Sequence, residues 1–126
     1  MPGQWEYQVG PVEGVQIGDQ LMMSRYLLGR IGEDYGVDVS YEPKIFKDFN
    51  GSGCHTNFST ETMRKGTKGM PYIEEMMKKL DKKHDIHINM YGEDNADRLT
   101  GVHETSSMHK FSYGVGNRAV SVRIPT

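Results

Sequence analysis

The sequence predicts an α+β fold. Two stretches carry a helical period, and several shorter runs alternate apolar with polar residues. The two kinds are mixed without the βαβα rhythm of a doubly wound sheet. At 126 residues the chain has the length of one domain.

Each element has its own signal. Residues 5–9 alternate Trp5, Glu6, Tyr7, Gln8 and Val9 and predict a half-buried strand with Glu6 and Gln8 on one face, ended by Gly10-Pro11. A helix follows. Ile17, Leu21, Leu28, Ile31 and Tyr35 fall on one side, widened by Met22, Met23 and Leu27, with Asp19 as a candidate cap and Gly36 at the C-terminal stop. Residues 37–41 alternate again and predict a strand broken at Glu42-Pro43. Residues 44–53 are a loop, 54–59 a short strand, and 64–69 a basic, glycine-punctuated loop. The second helix starts with Pro71 at its first position. Glu74 and Glu75 sit near its positive end, and Lys78, Lys79, Lys82 and Lys83 near its negative end. Glu74–Lys78 and Glu75–Lys79 are pairs one turn apart, and Ile73, Met76, Met77 and Leu80 form the buried stripe. Residues 84–91 predict a strand, 92–97 a polar loop, and 120–124 a last strand with Val120, Val122 and Ile124 on one face.

Composition excludes several classes. Apolar residues are 36%, charged residues 25%, and the net charge is −2, so no field for phosphate backbones is present and nucleic-acid binding is not expected. No apolar run approaches the ~18 residues of a membrane span. The first residues lack the basic and apolar regions of a signal peptide. One cysteine excludes a disulfide scaffold and fits a reducing, cytoplasmic setting. Glycine, at 15, and methionine, at 9, are frequent. The methionines are read as core filler.

Three places could carry chemistry. Glu6, on a strand between aromatics, could ligate a hard metal ion; the plainer alternative is an outward polar residue. The run Asn50-Gly51-Ser52-Gly53-Cys54-His55-Thr56-Asn57-Phe58-Ser59 combines glycines that let a ligand approach the backbone, neutral hydrogen-bonding groups, and an imidazole. A hairpin loop with an incidental histidine stays open. Cys54 and His55, adjacent on a strand, would point apart and form no dyad. Arg98, Arg118 and Arg123 frame His103-Glu104-Thr105, a set suited to an anionic substrate or a phosphoryl group, unless all three are surface arginines. His84 and His87 on a strand would face opposite ways, which disfavours a metal pair. No P-loop, dinucleotide glycine fingerprint, nucleophile elbow or zinc-finger spacing is present.

Four segments, in order and spacing, resemble the central catalytic part of glutamine synthetase of the eukaryotic, type II kind. They are residues 1–11 (MPGQWEYQVGP), 50–59 (NGSGCHTNFS), 94–106 (DNADRLTGVHETS) and 111–125 (FSYGVGNRAVSVRIP). The resemblance implies a mainly antiparallel sheet flanked by helices, part of a guanido-kinase-like catalytic domain. It implies ligation of ammonia to glutamate at the expense of ATP, through γ-glutamyl phosphate, in a ring-forming homo-oligomer that uses Mg2+ or Mn2+. By similarity, Glu6 and His55 each ligate a metal ion, and Asn50 and Gly51 hold glutamate, with Arg98 on its α-carboxylate and Arg118 beside it. Glu6, Tyr7, Gln8, Val9, Gly10, Pro11, Asn57, Phe58, Ser59, Arg118 and Arg123 border ATP. Arg118 and Arg123 stabilise the transferring phosphoryl group. Glu104, on a flap, closes over the acyl phosphate and helps deprotonate ammonium.

The departures are specific. The family's Glu-x-Glu metal motif, a further metal Glu before Met1, a Glu-Asp-Arg-Arg-like segment after the last strand and the N-terminal β-grasp domain have no counterpart in these 126 residues. Asp97 and Thr126 stand where Arg is usual, Phe49 replaces Trp, and the loop before Asn50 is one residue short. Each ion then has at most one protein ligand here, which binds a hard cation weakly. The chain alone is expected to be inactive. A non-catalytic relative with an interaction role and a ligase acting on another amine are the alternatives.

Overall fold

Residues 15–36 show how closely local signals set the first element. The computed structural model describes residues 3–102 and 105–126, in two compact units, Met1–Glu42 and Pro43–Thr126. In the first unit, α1 spans Gln16–Tyr35. Val15 stands at its N-cap with no side-chain capping hydrogen bond, and Asp19 lies within the first turn instead of at the cap. Its end is the predicted one. Gly36 takes φ 64°, and Val37 N–H donates to the Gly32 carbonyl at 2.9 Å, so the left-handed stop closes the last turn. The chain on either side folds back on α1. Tyr7 Oη lies 3.1 Å from Ser24 Oγ, Tyr41 Oη donates to the Arg25 carbonyl at 3.4 Å, and the Arg25 guanidinium sits 4.7 Å from the Tyr41 ring centroid. Partial burial and the neighbouring Tyr7 phenol raise the Tyr41 pKa, against the lowering effect of Arg25.

The helix period of α1 is right, but its stripe is not covered. Ile17, Met22, Met23, Leu27, Leu28, Ile31 and Tyr35 are exposed, and Leu21 is half-buried. Residues 5–9 and 37–41 form no strand, and Trp5 is 90% exposed. Alternation marks two faces, but a strand also needs a neighbouring backbone to accept its hydrogen bonds. Neither segment has one among the described residues.

The second unit contains α2, Gly66–Asp81. The stripe is as predicted: Met77 is 1% exposed, and Ile73, Met76 and Leu80 are half-buried. The predicted Glu75–Lys79 pair forms at 2.7 Å. The helix begins earlier than Pro71, which lies inside it. Gly69 makes the added turn possible, because a Cβ there would collide with the Met63 carbonyl. The methionines are divided between surface and core: Met22, Met23, Met70 and Met90 are exposed, Met63, Met76 and Met108 are half-buried, and only Met77 is fully buried among the described residues.

The predicted strand at 84–91 is instead α3, His84–Met90. The half-buried residues are His84, His87 and Ile88, the spacing of one helical face. His84 and His87 therefore share a side rather than opposing each other. His84 Nε2 donates to the Met108 carbonyl at 2.8 Å. A short α4, Asn95–Arg98, replaces part of the predicted polar loop, and residues 54–59 form no strand.

The sheet also differs from expectation. It is not mainly antiparallel. Among the described residues it consists of β1, Tyr113–Val115, and β2, Val122–Ile124, which run parallel, with Gly114 opposite Arg123. Among the described residues, only the single bridge between Thr100 and Ser107 is antiparallel. Serines tie the two strands together: Ser112 N–H donates to Ser121 Oγ and Ser121 N–H to Ser112 Oγ, both at 3.2 Å. Ser121 Oγ also lies 3.0 Å from Ser106 Oγ. The last strand lies inside the expected 120–124 but spans only Val122–Ile124, with Ile124 buried at its end.

Candidate functional site

The loop that starts at Pro43 builds one wall of a cleft in the second unit. Ser52 N–H donates to the Pro43 carbonyl at 2.7 Å, folding residues 43–52 back on themselves. Phe46 and Phe49 pack edge to face within it, 6.1 Å between centroids. Gly51 lies directly under the same carbonyl, where a Cβ would be 2.7 Å from the oxygen. Glycine is required by this close approach.

The opposite wall is α4 and the chain after it. Asn95, 7% exposed, anchors that wall. Its Nδ2 donates to the carbonyls of Ile88 at 3.2 Å and Gly92 at 2.9 Å, which ties α4 to the end of α3. Asp94 just before it has φ 59°, a left-handed conformation that Asp tolerates better than most residues. Arg98 closes α4 and is half-buried. Its Nε is buried and has no hydrogen-bond partner. Beyond it, Thr100 Oγ1 and Thr105 Oγ1 lie 3.0 Å apart, and both bond to the Val102 carbonyl.

Between the walls is a cleft of about 70 Å3 lined by Lys44, Asn50, Gly51, Ser52, Gly53, Asp97, Arg98, Thr100, Val102 and Thr105. Three residues singled out from the sequence, Asn50, Gly51 and Arg98, are thus brought together across almost 50 positions of chain. Two charged residues of the cleft carried no sequence signal as site residues. Lys44 stands at the start of the loop, and only the closure of that loop by Ser52 brings it in. Asp97 reaches the cleft only because residues 95–98 are helical.

The other described site residues are not among those that line this cleft. Arg118 is in the link between β1 and β2 and Arg123 on β2, both exposed, and neither lines the cleft. Of the three arginines, only Arg98 lines this cleft. His55 is exposed in an irregular segment, with its ring close to Gly53. Asn57 and Phe58 are exposed, and Ser59 Oγ accepts from Arg64 Nη1 at 2.6 Å. In the first unit, Glu6, Tyr7, Gln8, Gly10 and Pro11 are exposed and Val9 is half-buried. Glu104 lies outside the described residues, as does His103.

Metal binding finds limited support in side-chain placement. Among the described residues, no three His, Cys, Asp or Glu side chains converge as a ligand set. Glu6 and His55 remain single donors, one in each unit, and a hard divalent cation takes ~6–8 oxygen ligands or an octahedral shell. The described residues do not by themselves fit a metal centre. Among them, no helix is long and apolar enough to cross a membrane.

Residues 1–80 match the family model described as glutamine synthetase, catalytic domain. A glutamine synthetase of Candida glabrata is 58% identical over 126 residues, covering 99% of this chain and 34% of the relative. Those of Saccharomyces cerevisiae and Gallus gallus are each 56% identical, covering 99% of this chain and 34% and 35% of the relatives. The chain spans about a third of the length of the curated relatives it matches. The match over most of the chain makes it a member of the glutamine synthetase catalytic-domain family.

Proposed function

We infer that this chain is the central part of a glutamine synthetase catalytic domain, and that the protein it represents ligates ammonia to glutamate with ATP. A γ-carboxylate oxygen of glutamate attacks the terminal phosphorus of ATP, and the bond to ADP breaks. Ammonia then forms the C–N bond of glutamine, phosphate leaves, and a proton is lost from nitrogen. The observation that carries this reading is the cleft that joins Asn50, Gly51 and Arg98. A guanidinium with an unsatisfied, buried Nε is suited to a carboxylate.

The remaining roles extend the same reading. Arg98 holds the α-carboxylate of glutamate, with Asn50 and Gly51 at its amino-acid end. Arg118 and Arg123 neutralise the transferring phosphoryl group, because this chemistry depends mainly on positioning and charge stabilisation. The segment Glu6, Tyr7, Gln8, Val9, Gly10 and Pro11 borders the nucleotide, as do Asn57, Phe58 and Ser59. Glu104 excludes water from the acyl phosphate and takes a proton from ammonium. Mg2+ or Mn2+ would neutralise phosphate charge when bound. Glu6 and His55 would each give one ligand. A cytoplasmic, ring-forming homo-oligomer completes the proposal, with the β-grasp domain and the C-terminal part of the family contributed by other sequence.

The test is γ-glutamyl hydroxamate formation from L-glutamate, hydroxylamine and ATP with Mg2+ or Mn2+. These 126 residues alone are expected to give none. Exchanged for the matching third of the Saccharomyces cerevisiae relative, they are expected to support turnover that Arg98→Met abolishes. An inactive but folded exchange, or one indifferent to Arg98→Met, overturns the reading.

A further inference from the structure

Ser106, Ser112 and Ser121 meet in the second unit. Ser106 is 8% exposed, and its Oγ lies 3.0 Å from Ser121 Oγ. Its other contact, to the Ser107 carbonyl, is long at 3.4 Å. Ser121 Oγ accepts the Ser112 N–H, and Ser121 N–H donates to Ser112 Oγ, both at 3.2 Å. Val122 N–H donates to the Ser112 carbonyl at 3.1 Å. Ser121 is thus fixed at the entrance to β2, two positions before Arg123. Ser106 stands two positions after Glu104 in the sequence, in a segment whose ends are tied together. Thr100 and Ser107 form the antiparallel bridge, and Met108 N–H donates to the Leu99 carbonyl at 3.3 Å. The bridge closes the segment on itself, and the Ser106–Ser121 pair fastens its returning arm to the sheet. A buried hydroxyl needs a partner, so the pair sets one position for that arm.

We propose that Ser106 and Ser121 are positioning residues for amide formation: their hydroxyl pair holds the arm that follows Glu104 against the strand that carries Arg123, so that the acyl phosphate meets ammonia before water. This deepens the glutamine-synthesis reading and rests on it. In that reading Arg123 belongs to phosphoryl transfer and Glu104 to the exclusion of water. The two serve successive steps and need a fixed relation. A segment that opens for substrate and closes over an intermediate is held by bonds that break and re-form, and a pair of neutral hydroxyls is such a bond. Without the pair the arm keeps its bridge, so substrate binds and phosphoryl transfer proceeds, but closure fails in a fraction of turnovers. Water then adds to the acyl phosphate in place of the amine. Each such event consumes one water and returns glutamate and phosphate, with no amide formed.

The test uses the exchanged Saccharomyces cerevisiae enzyme and measures phosphate released against γ-glutamyl hydroxamate formed. The unsubstituted exchange is expected to give the two in equal amounts. Ser106→Ala is expected to raise phosphate per hydroxamate about two- to tenfold, the factor that one neutral hydrogen bond carries, with KM for glutamate unchanged. Ser121→Ala is expected to raise it likewise, and Ser121→Thr, which keeps the hydroxyl, to leave it at the unsubstituted value. The double Ser106→Ala, Ser121→Ala variant is expected to match Ser121→Ala, because the pair is already lost there. If Ser106→Ala lowers turnover or the urea midpoint while phosphate and hydroxamate stay equal, the pair serves only the fold and the proposal falls. It falls as well if Ser121→Thr releases as much excess phosphate as Ser121→Ala, or if the double variant compounds the two single effects. In each of these cases an exchange that turns over and loses activity with Arg98→Met leaves the glutamine-synthesis reading standing. A folded but inactive unsubstituted exchange overturns both.

Discussion

Gly51 packs against the carbonyl oxygen of Pro43 so closely that a Cβ would stand 2.7 Å from it, and that same oxygen accepts the Ser52 N–H at 2.7 Å. One carbonyl therefore closes the loop and sets the wall of the cleft. Gly51→Ala must push the loop open. It is expected to lower L-glutamate affinity about tenfold or more, at a stability cost of about 1–3 kcal/mol. Titration with L-glutamate and hydrogen exchange at the Ser52 amide check this; unchanged protection at Ser52 would contradict it.

Asn95 ties α4, the helix that ends at Arg98, to the end of α3 through two donated hydrogen bonds. Asn95→Ala leaves two carbonyls short of a donor and is expected to cost about 1–3 kcal/mol. Asn95→Asp is expected to cost more at neutral pH, since a buried carboxylate would face the same two acceptors, and to regain stability as the pH falls and the acid protonates. Urea unfolding at several pH values measures both.

Met77 is the most fully buried large side chain among the described residues. Met77→Ala is expected to cost about 2–5 kcal/mol, and Met77→Leu less than about 1.5 kcal/mol. Against a typical total of about 5–15 kcal/mol, the first change removes much of the stability of the unit. The unfolding midpoint in urea distinguishes the two variants.

Glu75 and Lys79 give α2 a dependence on pH at the extremes. The hydrogen bond and the charge of Lys79 hold the Glu75 carboxyl below its ordinary value, and the hydrogen bond and charge of Glu75 hold the Lys79 ammonium above its own. The Glu75 contribution is complete above its unfolded pKa and is lost as pH falls through the lowered folded value. The Lys79 contribution is complete below its unfolded pKa and is lost as pH rises through the raised folded value. Both groups are exposed, so the effect is small and screened by salt. Circular dichroism is expected to show helicity flat through neutral pH, with acid and alkaline losses that shrink in Glu75→Gln and in high salt.

Much of this was legible in the residues themselves. The α1 and α2 periods, the Gly36 stop, the Glu75–Lys79 pair, the Met77 stripe and the strand at Val122–Ile124 all depend on neighbours within a few positions. The pairing of Asn50 and Gly51 with Arg98 came from resemblance, and spacing alone could not have placed them together. The segments misread as strands, 5–9, 37–41, 54–59 and 84–91, share one cause. Alternation records which side a residue faces, and says nothing of whether another backbone lies alongside.

Local chemistry thus decided the two long helices, the last strand and membership of the family. Tertiary structure alone decided that β1 and β2 run parallel, that His84–Met90 is a helix, and that the stripe of α1 is left exposed while Met77 is buried. It also decided that Lys44 and Asp97 share a cleft with Arg98. The division has a physical reason. Periodicity and capping act through hydrogen bonds and contacts one turn away, whereas strand partners, burial and converging charges depend on residues distant in sequence, whose meeting no local pattern encodes.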